Sequence, residues 1–144
     1  MKICDLHEIY EGAGVNAEAL RLRLANLAAT GQGELRALVG EFRRSEVLVP
    51  VVDGSLLSAE AGGIRWLFVF TDDAALARFA EARGEAVPER VAVYGALLLD
   101  QVVPGVGGPV GIAVDAGSSA GLVLPPVTGI VPDAVAVDAA GAAS

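Results

Sequence analysis

The sequence predicts a single α+β domain: a mixed, mostly antiparallel sheet with packed helices, preceded by an N-terminal helical pair. Three observations carry that reading. Apolar residues recur at helical spacing before Ser45, then give way to the short β-branched runs EVLVPVV and IRWLFVF. One well-punctuated helix, TDDAALARFAEARG, separates these runs from later apolar segments. Finally, 144 residues with 53% hydrophobic content suit one domain with a sizeable core, and no repeat or linker divides them.

The elements follow in order. Asn16 is placed to cap a helix from Ala17 to about Ala29, with Glu18 in its first turn and Gly31 just past its end. Leu20, Leu24 and Leu27 share one face of it. After the turn TGQG, the run GELRALVGEFRR sets Leu35, Leu38, Val39 and Phe42 at i, i+3, i+4 and i+7, an amphipathic helix. Arg43 and Arg44 suit its carbonyl end. EVLVPVV reads as a strand buried on both faces, although Pro50 removes one ladder donor. DGSLLSAEAGG reads as a loop, and the strand IRWLFVF is expected to return antiparallel against EVLVPVV. Trp66, Phe68 and Phe70 fall on one face of it and are expected in the core.

In the following helix Thr71 is the expected N-cap, Asp72 and Asp73 meet the positive end of the dipole, and Leu76, Phe79 and Ala80 form the buried face before Gly84. VAVYGALLLDQVV reads as a short strand leading into a helix. Tyr94, Leu97, Leu98 and Val102 have helical spacing, and Pro104 and Gly105 stop it. Val110–Val114 and Leu122–Leu124 flank a Gly/Ser turn as a hairpin, and a short helix is expected after Pro132. The organisation expected is a helical extension over 1–44 that could serve dimerisation, an α+β domain over 45–132, and a tail over 133–144.

Composition excludes several functions. The net charge of −8, with no basic residue beyond Arg90, argues against binding nucleic acid or an anionic membrane, since both need clustered Lys and Arg. One cysteine permits no internal disulfide and points to a reducing cytoplasm. MKICDLHEIYEG has early acids and no apolar core, so it does not read as a secretory signal. The uncharged run Ala116–Pro132 is too interrupted by proline and glycine to span a bilayer.

Each apparent chemical motif has a simpler account. Gly117-Ser118-Ser119-Ala120-Gly121 matches G-x-S-x-G, the nucleophile elbow of hydrolases. An elbow needs a helix after the serine and a histidine downstream, whereas LVLPP follows and no histidine lies beyond His7. A hairpin turn is the expected role. Gly12-Ala13-Gly14-Val15-Asn16-Ala17 fits a dinucleotide fingerprint but lacks a buried strand before it. Cys4 and His7 supply two ligands where structural zinc takes four. Asp72 and Asp73 are explained by the helix start. No cofactor, metal or catalytic group is therefore expected.

The segments EVLVPVVDG, IRWLFVFTDDAALARFA, YGALLLDQVVPGVG and VGIAVDAGSSAGLVLPP, in that order, resemble the SseB N-terminal-domain family, named for enhanced serine sensitivity. The resemblance covers about Ser45 to Pro126. Its most specific part is Phe68-Val69-Phe70-Thr71-Asp72 followed by Leu76 and Phe79. Where that family shows an Asn-Pro-Gly-Ser turn, this chain has Asp115-Ala116-Gly117-Ser118. Asp can replace Asn in accepting backbone hydrogen bonds there. The resemblance implies a small bacterial cytoplasmic α+β protein with no agreed enzymatic activity or cofactor.

The expected function is a non-catalytic protein-interaction or regulatory domain, with a protein partner or a second copy as ligand. The candidate partner surface comprises Leu20, Leu24, Leu27, Leu35, Val39 and Phe42. The alternatives are a small-molecule sensor or enzyme of unfamiliar type, using Thr71, Asp72, Ser118 and Ser119 as ligand-facing groups, and a secretion-associated or immunity-type binding protein.

Overall fold

The computed structural model describes residues 17–138. Asn16, Cys4, His7 and the glycines of the fingerprint-like stretch lie outside them. Helix α1 (Glu18–Thr30) ends at Gly31 in the left-handed conformation, and α2 (Leu35–Arg44) follows after the short turn. Then come β1 (Glu46–Val52), β2 (Ser55–Leu56), β3 (Ser58–Ala61) and β4 (Ile64–Val69), followed by α3 (Asp73–Ala82) and β5 (Glu89–Tyr94). A continuous helical stretch comes next: α4 (Gly95–Leu97), a π-helical turn over Leu98–Val102, and α5 (Val103–Val106). The hairpin β6 (Val110–Val114) and β7 (Leu122–Leu124) and a 3-10 turn at Asp133–Val135 complete the order.

The expected antiparallel pairing of β1 with β4 is not what forms. β1 lies between β2 and β5 in one sheet, whereas β4 lies between β3 and β6 in a second, ordered β3-β4-β6-β7. The reason lies in the segment read as a loop. Asp53 and Gly54 both take positive φ, 53° and 75°, the requirement of a two-residue type I′ hairpin, so the chain reverses at once to pair Val52 with Ser55. Gly62-Gly63 repeats the device to pair Ala61 with Ile64. The two short strands between these turns, β2 against β1 and β3 against β4, hold β1 and β4 apart. They meet only beyond these strands, where Leu48 and Phe70 exchange two backbone hydrogen bonds of 2.8 Å. β4 and β6 are parallel, and the other named strand pairs are antiparallel.

Strand alternation sorts the apolar residues onto two faces. Val47, Val49 and Val51 of β1, Leu67 and Val69 of β4, Val91 and Val93 of β5, and Ile112 of β6 share a core with Leu20, Leu24, Leu38, Phe42, Leu98 and Leu99. On the opposite face Leu48, Phe70 and Ala92 meet Ala75 and Leu76 of α3, with Phe68 and Phe79 closing the cluster. Phe79 stacks at 5.4 Å from Phe68 and 5.1 Å from Phe70, the core role expected of those two aromatics, whereas Trp66, expected with them, is only half-buried and donates its indole N–H to the Ala61 carbonyl at 3.3 Å. The helical pair is therefore not an extension. It forms one layer of the main core, and Ile130, Val131 and Ala136 belong to that core as well, the last lying within the segment expected to be a tail.

Two helix details also differ. Pro104 and Gly105 do not stop the helix after β5, which continues to Val106. In the π turn the N–H of Val103 reaches the carbonyl of Leu98, five residues back, so Pro104 enters near the start of a re-phased segment where its missing N–H is tolerated. The face that is fully buried is Leu98, Leu99 and Val103, whereas Tyr94, read as part of the helix face, is the last residue of β5 and half exposed. At α3 the N-cap is Asp72, whose carboxylate accepts the Ala75 N–H at 2.8 Å, and not Thr71.

Candidate functional site

The parallel strands β4 and β6 end side by side; the chain leaves β4 through buried Phe70 to Thr71, and β6 directly at Asp115. Asp115, one residue beyond β6, is buried and takes φ +50°, a conformation that Asp and Asn tolerate better than other side chains. Its N–H donates to the Val69 carbonyl at 2.9 Å. Its carboxylate accepts the Thr71 N–H at 2.8 Å and the Thr71 hydroxyl at 2.7 Å, a two-point clamp across the strand ends. Thr71 is committed to this clamp, and its backbone N–H is bonded to the carboxylate, which explains why it does not cap α3. Burial pushes the Asp115 carboxyl above the usual carboxylate range. The two Thr71 donors oppose that rise, Asp72 adds to it, and Arg78 opposes it.

The polar groups put forward as ligand-facing are largely engaged within the chain. Thr71 binds Asp115, and Asp72 caps α3. In the β6–β7 turn, the Ser118 hydroxyl oxygen accepts the Ala120 N–H at 2.9 Å, and the Ser118 N–H donates to the Asp115 carbonyl at 3.1 Å. Ser119 is exposed on a turn that leads into strand β7, so the G-x-S-x-G match falls on hairpin geometry. Asp115 itself emerges from the sequence only as a turn residue. Its position one step past a buried apolar run, two before a glycine, is the signal that marks it. A second clamp of the same form occurs near the end of the described residues, where Asp138 accepts the N–H and hydroxyl of Thr128 at 2.8 and 2.7 Å. Among the described residues no cluster of three His, Cys, Asp or Glu side chains could hold a metal ion, and no buried polar side-chain atom lacks a hydrogen bond.

The expected partner surface needs correction. Leu20, Leu24, Val39 and Phe42 are buried, and Leu27 is half-buried, because the apolar stripes of α1 and α2 cover the sheet. Leu35 alone of that set is exposed, at 54%. It stands between two depressions. One, of about 130 Å³, lies against α1 and β7 and is lined by Leu27, Leu38 and Leu122. The other lies between α2 and the turn at Thr128–Ile130, with Val39, Gly40 and Ile130 along it.

A three-layer α+β domain results, with helices on both faces of the strands, a clamp at the parallel strand ends, and one apolar ridge at the start of α2. The chain belongs to the SseB family: the family model of the SseB protein N-terminal domain matches residues 20–128. That match begins within α1, so it takes in the helical pair that the sequence resemblance left outside, in keeping with the shared core. No curated protein and no solved structure matches the chain. Among the described residues no helix is long and apolar enough to cross a membrane.

Proposed function

We propose that this chain is a non-catalytic protein-interaction or regulatory domain that engages its partner around Leu35. The observation that carries the reading is the exposure of this large apolar side chain between two apolar-lined depressions, in a chain whose other helix-pair leucines are mostly drawn inward. The internal engagement of Thr71, Asp72 and Ser118 supports it, since those groups serve the backbone. The partner is another protein or a second copy. Light scattering over a concentration series and affinity capture from a cell extract test this, each comparing the parent chain with Leu35→Asp. Leu22→Asp is the control, because Leu22 is equally exposed at 59% but lines neither depression. Association or capture lost with Leu35→Asp and kept with Leu22→Asp is expected. Identical behaviour of all three proteins refutes the assignment.

A further inference from the structure

The depression between α2 and Thr128–Ile130 combines an apolar wall with one cation that no acid answers among the described residues. The charged residues lining this groove are Arg36 and Arg43, and the Asp138 carboxylate is bonded to its Thr128 at 2.8 and 2.7 Å. Arg43 is already held by Asp100 through two hydrogen bonds, of 3.0 and 2.6 Å. The other arginines of the helical pair are matched too: Arg21 with Glu18 and Asp72, and Arg23 and Arg44 with Glu41. Arg36 is the exception, with no hydrogen bond or ion pair among the described residues. It stands next to exposed Leu35, above a wall formed by buried Val39 and Ile130.

We propose that this groove receives an acidic peptide segment of a partner protein. In this proposal an apolar side chain packs against Leu35, Val39 and Ile130, and a carboxylate pairs with Arg36. The proposal rests on the interaction-domain reading and names the chemistry of its partner. The molecule's net negative charge does not forbid it: at physiological ionic strength charges beyond about 8 Å are largely screened, whereas a guanidinium in contact with a carboxylate acts at hydrogen-bond range. The Arg43–Asp100 pair borders the groove and neutralises Arg43, leaving Arg36 as its unmatched cation. Freeing Arg43 would place a second cation there.

The test uses the full chain and three short fluorescent peptides of one leucine pattern, carrying Glu, Gln or Lys at the intervening positions. Anisotropy titration should show the Glu peptide binding the parent about tenfold tighter than the Gln peptide, with the Lys peptide weaker still. Arg36→Glu should cost the Glu peptide at least about that factor, while Arg36→Lys retains most of the binding. Asp100→Asn should tighten it by releasing Arg43. Circular dichroism melting of each variant verifies that the fold is intact. Equal binding of all three peptides through Leu35 overturns the acidic preference and leaves the interaction-domain reading standing. Failure of every peptide, together with self-association lost on Leu35→Asp, makes a second copy the occupant and overturns the proposal. Failure of every peptide with no association of any kind removes both readings.

Discussion

Replacing Asp115 tests whether the clamp at the strand ends is what joins the two halves of the sheet end. In Asp115→Ala the Thr71 N–H, held at 2.8 Å in a residue only 3% exposed, loses its acceptor, and so does the Thr71 hydroxyl. An orphaned buried donor costs about 1–3 kcal/mol, and an alanine at positive φ adds about 1 kcal/mol of backbone strain. Relief of the buried carboxylate offsets part of this, so the expected loss is about 2–4 kcal/mol, or roughly 5–12 °C in melting temperature for a domain of this size. Asp115→Asn is predicted to behave differently. Its Oδ1 can accept the Thr71 N–H, its Nδ2 can donate to the Thr71 hydroxyl oxygen, and Asn tolerates the same φ. It should stay within about 1 kcal/mol of the parent at neutral pH.

The pH dependence supplies an independent readout. Because the folded carboxyl lies above its unfolded value, the native state holds the proton more tightly than the unfolded chain. The stability contributed by that proton is complete below the unfolded value and disappears as pH rises through the folded one. The Asn variant has no such loss, so its stability relative to the parent should improve as pH rises through the acid range. Urea denaturation at several pH values measures both effects. A parent-like Asp115→Ala, an Asn variant as damaged as the Ala one, or an Asn variant that falls behind with rising pH would each refute the reasoning.

Two further outcomes follow from the packing. Leu24→Ala, inside the core at 2% exposure, should cost about 2–5 kcal/mol, while Leu22→Ala on the same helix should stay within about 0.5 kcal/mol; similar denaturation midpoints for the two would return α1 to the surface. A Cβ added at Gly95 would lie 2.0 Å from the Phe42 carbonyl oxygen, in fixed backbone, so Gly95→Ala should destabilise by more than about 3 kcal/mol or fail to fold, and a melting temperature near the parent's would contradict the close approach of α2 to α4.

Much of the architecture was legible from local pattern. The apolar stripes of α1 and α2, the start and stop of α3, and the β6–β7 hairpin all announce themselves by periodicity and punctuation, because those signals act within a few residues. The Asp53-Gly54 and Gly62-Gly63 turns were equally local and equally visible. Reading them as one loop hid two short strands and misplaced β4 against β1. The π turn had no comparable signal: its insertion re-phases a helix to suit what lies beneath Leu98 and Leu99.

The candidate site was the least legible part. A sequence shows that Thr71 precedes a helix and that Asp115 enters a turn. It does not show that parallel pairing of β4 with β6 brings residues forty-four positions apart within hydrogen-bond distance. Likewise, Leu20, Leu24, Val39 and Phe42 were recognisable as an apolar set, but periodicity marks a face that must be covered without naming its cover. The amino-acid order by itself fixed the helices, most strands, the acidic character and the family likeness, since each depends on neighbours along the chain. Only the folded molecule decided which leucines stay in contact with water, which arginines go unmatched among the described residues and which aspartate is buried, because those outcomes depend on groups distant in sequence competing for the same space.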